Sequence, residues 1–84
     1  MALPTEPVTL SAEQLAELNG KLSTMCHDIR NNLSMIVAAT ELIRQNPALA
    51  EKLMGRLAEQ PGRIAQSMDA FRVDFEQALG ITKP

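Results

Sequence analysis

The chain has 84 residues with 8 basic and 10 acidic side chains, a net charge of −2, and an apolar content of 45%. A chain this short has room for one domain and withdraws only about 60–65% of its unfolded surface from water, so oligomerisation is expected. The acids and bases are interspersed without a basic stripe, which disfavours nucleic acid as the main partner.

The first ten residues, MALPTEPVTL, contain Pro4 and Pro7 and no periodicity, and read as an extended arm over 1–10. They carry neither a charged leader nor an apolar run, so no signal peptide is expected. Ser11 then marks a helix start. It is a good N-cap, Gln14 completes a capping box, and Leu10 can staple onto Leu15 across the cap.

From there one heptad register persists. Leu15, Leu22, Ile29, Ile36 and Ile43 take a positions, while Leu18, Met25, Asn32 and Ala39 take d positions. The pattern predicts a helix over 11–46, roughly 50 Å long at 1.5 Å per residue. Pro47 ends it, because proline fits the first position of a new helix with Asn46 as cap.

A second helix is predicted over 47–79, with Leu49, Leu53, Leu57, Ile64, Met68, Phe71, Phe75 and Leu79 on one side in steps of mostly three and four. Pro61 and Gly62 oppose a straight helix by about 3–4 kcal/mol in propensity. Because the stripe resumes after them in nearly the same register, a kink near Pro61 is expected rather than a break, with a three-helix arrangement as the alternative. Gly80 supplies a C-terminal stop, Ile81 can fold back toward Phe75, and 81–84 form a tail. The fold class is thus all-α: an antiparallel hairpin over 11–80 with one apolar face uncovered, which two copies would close as a homodimeric four-helix bundle.

The only cysteine, Cys26, and the only histidine, His27, are adjacent. One cysteine makes no intramolecular disulfide, no Cys/His set has metal-ligand spacing, and no apolar run approaches the roughly 20 residues that span a bilayer. A cytoplasmic protein with no membrane partner and no cofactor of its own is expected. His27 falls on heptad position f, outward and mid-helix. An exposed imidazole is mostly neutral near pH 7 and nucleophilic. Asp28 can accept a hydrogen bond from one ring nitrogen and leave the other free to attack. Asn31, one turn on, can both donate and accept, and so can orient a phosphoryl group or a water. Ser23, Thr24, Arg30 and Ser34 complete a polar surface around them, the candidate contact for a partner.

The stretch CHDIRNNLSMIVAATELI resembles the phosphoacceptor box of the dimerisation and histidine-phosphotransfer domain of two-component sensor kinases, of the form H-[ED]-x-x-[NT]-P-L. It is closer still to the dimeric histidine phosphotransferases, with a box like L-C-H-D-L-x-x-P. The turn at Asn46 and Pro47 also follows His27 at the distance found in those hairpins. The likeness implies that His27 is phosphorylated, that Asp28 assists transfer and that Asn31 sets the phosphotransfer or phosphatase geometry. It implies a response-regulator receiver domain as partner, with a separate histidine kinase as a further candidate, and magnesium supplied by the receiver's acidic site. The departure is Asn32, where the family commonly has proline; there it falls on a core-facing d position and can fix register or dimer state. The four scattered glycines form no nucleotide-binding box, so ATP-dependent autokinase activity is not expected. The alternative function is a non-catalytic dimerisation or adaptor module.

Plainer roles suffice elsewhere. Cys26, at position e, reads as a small packing residue, and the methionines as helix packing. Glu17 with Lys21, and Glu59 with Arg63, are favourable i,i+4 pairs that support their helices.

Overall fold

A computed structural model describes residues 4–80. Residues 4–10 have no regular structure, and two long helices follow: α1 (Ala12–Gln45) and α2 (Ala50–Ala78). The start of α1 has a chemical cause. The Ser11 hydroxyl accepts from the Gln14 backbone N–H at 3.0 Å and the Gln14 side chain accepts from the Ser11 N–H at 2.8 Å, the reciprocal capping box expected. At its other end the Asn46 N–H donates to the Leu42 carbonyl at 2.9 Å. Asn46 leaves helical geometry there and caps the next turn, accepting from the Ala48 N–H at 3.2 Å. Pro47 to Leu49 form a single 3-10 turn that reverses the chain.

The second helix runs unbroken through Pro61, so the three-helix alternative does not hold. It stops where Gly80 adopts φ 71°, a left-handed conformation costly for residues with a Cβ, and the Gly80 N–H donates to the Gln77 carbonyl at 3.1 Å. Ile81 and the tail lie outside the described residues. None of the described helices is long and apolar enough to cross a membrane.

The helices pack antiparallel along one seam. From α1 it takes Leu18, Met25, Ile29, Asn32, Ile36, Ala39 and Ile43; from α2 it takes Leu53, Leu57, Gln60, Ile64, Ser67, Phe71 and Phe75, all buried or half-buried. The rings of Phe71 and Phe75 stand 6.1 Å apart at 40° and thicken the end nearest the termini. A cross-helix ion pair, Lys21 Nζ to Asp74 Oδ1 at 3.4 Å, holds the same end in register.

The first two a positions depart from the heptad reading. Leu15 and Leu22 are 52% and 39% exposed. A straight α-helix drifts about 20° per heptad against a 3.5-residue repeat, so the early a positions rotate off the seam that the later ones occupy. Cys26, expected to pack, is exposed too. Together Leu15, Leu22, Cys26, Leu33 and Val37 recur at spacings of seven, four, seven and four, and so share one strip of α1. On α2, Met54, Pro61 and Met68 form a matching strip.

The seam alone is thin. Among the described residues only Ala39 is a buried hydrophobic. The radius of gyration is 18.0 Å, against about 12 Å for a compact domain of this length. The chain exposes 6498 Å², where a compact monomer of this mass exposes roughly 4900 Å².

One seam position is chemically odd. Gln60 is 2% exposed; its Nε2 donates to the Arg56 carbonyl at 2.9 Å, while Oε1 has no hydrogen-bond partner among the described residues. An unsatisfied buried acceptor costs about 1–3 kcal/mol, more than the one bond returns. Gln60→Leu is therefore expected to stabilise the fold by about 1 kcal/mol, seen as a melting temperature higher by about 4–8 °C for a domain of this size. A lower melting temperature would show that the carboxamide is satisfied in solution.

Candidate functional site

The residues around His27 owe their positions to an uninterrupted middle of α1. No proline falls inside α1, so side chains four apart stand one turn along the same face. Thr24 uses its hydroxyl locally, donating to the Gly20 carbonyl at 3.1 Å. The His27 side chain is 73% exposed and Asp28 52%. His27 Nδ1 lies 3.6 Å from Asp28 Oδ1, beyond hydrogen-bond range. At that distance the carboxylate attracts a protonated or phosphorylated ring electrostatically, and a small rotation of either side chain closes the bond.

Asp28 and Asn31 do more than neighbour the histidine. With Lys21, Thr24 and Asn32 they form one wall of a polar groove of about 550 Å³ along the side of the seam; Arg63, Gln66, Ser67, Ala70 and Asp74 of α2 supply the other wall. His27 does not line it and points outward beside it. In a helix it lies about 40° around the axis from Asn31 and about 100° from Asp28, both of which face the groove. Its imidazole is thus open to a docking molecule while its two polar neighbours line the adjacent depression.

The expected polar surface divides in two. Thr24, Asp28 and Asn31 are brought together in the groove. Arg30 and Ser34 instead line a shallow hollow on the other flank with Leu33, Val37 and Glu41, and Ser23 is exposed but lines neither. The cause is angular, since residues 30 and 34 fall on the opposite side of His27 from residues 24, 28 and 31. Glu41 is held there by Arg44, which donates through Nη2 at 2.8 Å and Nε at 3.2 Å; that hydrogen bonding lowers the carboxyl below its ordinary range.

The second wall was not anticipated. Arg63 does make its i,i+4 pair with Glu59, at 3.6 Å with both side chains more than 60% exposed, an arrangement worth well under about 1 kcal/mol. Its place in the groove is the larger fact. The signal was present as a polar stripe at Arg63, Ser67 and Asp74, in helical steps beside the apolar one, but only the pairing of the two helices says what it faces. No group of metal-ligating side chains occurs among the described residues. What the arrangement offers chemically is an exposed nucleophilic imidazole, a carboxylate beside its ring, and an amide one turn away.

Comparisons with family models, with curated proteins and with solved structures return no match to this chain.

Proposed function

We propose that the chain is a histidine phosphotransfer protein that exchanges a phosphoryl group between His27 and the aspartates of response-regulator receiver domains. The observation that carries this reading is the exposure of His27 beside Asp28 and Asn31, which line the neighbouring groove. A nucleophile that must meet a phosphoryl group on another protein has to stand clear of its own fold.

The chemistry balances with groups of stated roles. The lone pair of an unprotonated ring nitrogen attacks the phosphorus of an aspartyl phosphate; the P–O bond to the aspartate breaks and that carboxylate leaves with the electron pair. The proton on the other ring nitrogen stays, so the phosphorylated ring is cationic. Asp28, 3.6 Å from Nδ1, stabilises that charge. Asn31 is neutral and orients a phosphoryl oxygen. The receiver's acidic site supplies magnesium to neutralise the phosphoryl oxygens in transit. These 84 residues hold no glycine-rich nucleotide box, and the proposed phosphoryl donor is a receiver or a separate kinase.

The proposal includes a homodimeric four-helix bundle. The strips led by Leu22 and Leu33 on α1 and by Met54 and Met68 on α2 lie on the side of the hairpin opposite the groove. A second copy seated there covers the apolar surface and leaves both histidines open.

A second reading has its own support. Asn32 is half-buried at the edge of the seam, where the resembled family has a proline, which suits an adaptor that keeps the bundle without the chemistry. Incubation with a panel of phosphorylated receivers and magnesium separates the two. Acid-labile phosphate is expected on the wild type and is lost in His27→Ala, whose helix content stays unchanged. Absence of label with every receiver rules out the transfer reading and leaves the adaptor.

A further inference from the structure

We infer that the turn Gln60–Gly62 of α2 is a hinge that sets the width of the polar groove beside His27. Pro61 has no N–H, so the Leu57 carbonyl loses its helical donor and is crowded by the ring. Gly62 follows directly, and a Cβ built there would meet nothing within 4 Å. No packing contact requires glycine at that point, so α2 crosses a proline and a glycine in succession, two poor helix formers side by side, without a steric reason. Gln60, just before them, bonds the Arg56 carbonyl of the same disturbed turn through Nε2 and leaves Oε1 unpartnered. The backbone is thus weakest where the side chain meant to support it is itself half satisfied, the setting in which helices bend.

The position of this turn gives the weakness a consequence. Every α2 residue lining the polar groove, from Arg63 to Asp74, lies after it. The α2 residues lining the smaller apolar hollow on the same side, Leu53, Arg56 and Leu57, lie before it, and Gln60, the last of that lining, is its first residue. Rotation at the turn therefore moves one wall of the groove and leaves the loop-proximal half seated. The opposite wall, carrying Asp28 and Asn31, belongs to a helix without an internal proline. The moving wall is held by the seam contacts of Ile64, Phe71 and Phe75, and the one ion pair across it, Lys21–Asp74, is part-exposed at 42% and 30% and adds little. The hinge stands on the helix itself and does not depend on the phosphotransfer reading.

Pairs of spin labels test it in the full chain carrying Cys26→Ser, diluted with unlabelled protein so that only distances within one protomer are read. Cysteines in place of Glu17 and Gln77 span the far half of the hairpin, and cysteines in place of Ala38 and Arg56 span the loop-proximal half. The far pair is expected to give a distance distribution about twofold broader, narrowing to the width of the near pair in Pro61→Ala/Gly62→Ala, which strengthens the helix. Equal widths in the wild type overturn the hinge. So does a far-pair width that the double substitution leaves unchanged, because that assigns the motion to fraying of the helix ends.

Discussion

Replacing Ile36 with aspartate is expected to abolish the helical circular dichroism of the protein. Ile36 sits mid-seam, half-buried and one turn before Ala39, the only buried hydrophobic among the described residues, in a seam that already holds an unsatisfied buried acceptor at Gln60. The substitution removes about 1–2 kcal/mol of apolar burial and places a carboxylate where no described cation pairs with it, a further cost of several kcal/mol. Native stability for a chain of this length is of the order of 4–12 kcal/mol, and the thin seam puts this protein at the low end. Ile36→Val, which keeps the branched aliphatic, should cost only about 1 kcal/mol. A folded Ile36→Asp protein would mean that the seam is not what holds the helices together.

The second large effect concerns mass. Light scattering on the wild type is expected to give twice the 9.2 kDa of one chain, with a melting temperature that rises with protein concentration. Leu22→Glu/Leu33→Glu should halve the mass and remove most of the helix with it. Each leucine has roughly half its surface left to bury, about 1 kcal/mol apiece, and a symmetric interface counts both substitutions twice, so about 4 kcal/mol is lost before the carboxylates are desolvated. Both side chains lie on the side away from the groove, so loss of the dimer does not act through loss of the site. A wild-type monomer that melts at the same temperature at every concentration would refute the bundle.

The ends of the elements were the most legible part of the fold, because each depends on one or two residues with a strong local preference. Ser11 with Gln14, Asn46 with Pro47, and Gly80 act at short range, and each operates where the sequence places it. The outward direction of His27 was legible for a related reason: it depends only on its angle to the aliphatic stripe of its own helix. Two kinds of fact were not. The exposure of Leu15 and Leu22 depends on accumulated drift between the helix and an ideal heptad, which a repeat read as letters hides. The composition of the groove depends on which turn of α2 lies against which turn of α1, and nothing local to either helix states that. Gln60 falls between these cases. It continues the stripe Leu53, Leu57, Ile64 in steps of four, three and four, so its position marked it as buried; its amide and the neighbouring Pro61 argued for the surface, and position prevailed.

The Lys21–Asp74 pair at one end and the Asn46–Pro47 reversal at the other make the hairpin a ladder with two rails of matched length, since nearly the same number of residues runs from Lys21 to the turn as from the turn to Asp74. A ladder whose rungs are packed side chains tolerates changed side chains far better than a changed rung count. One residue inserted into either rail between the ion pair and the reversal rotates everything beyond it by about 100°, turning polar groove positions into the seam and seam aliphatics toward water. Sequences that keep this architecture should therefore vary freely in letter along the outer faces and hardly at all in the spacing between the lysine, the reversal and the aspartate.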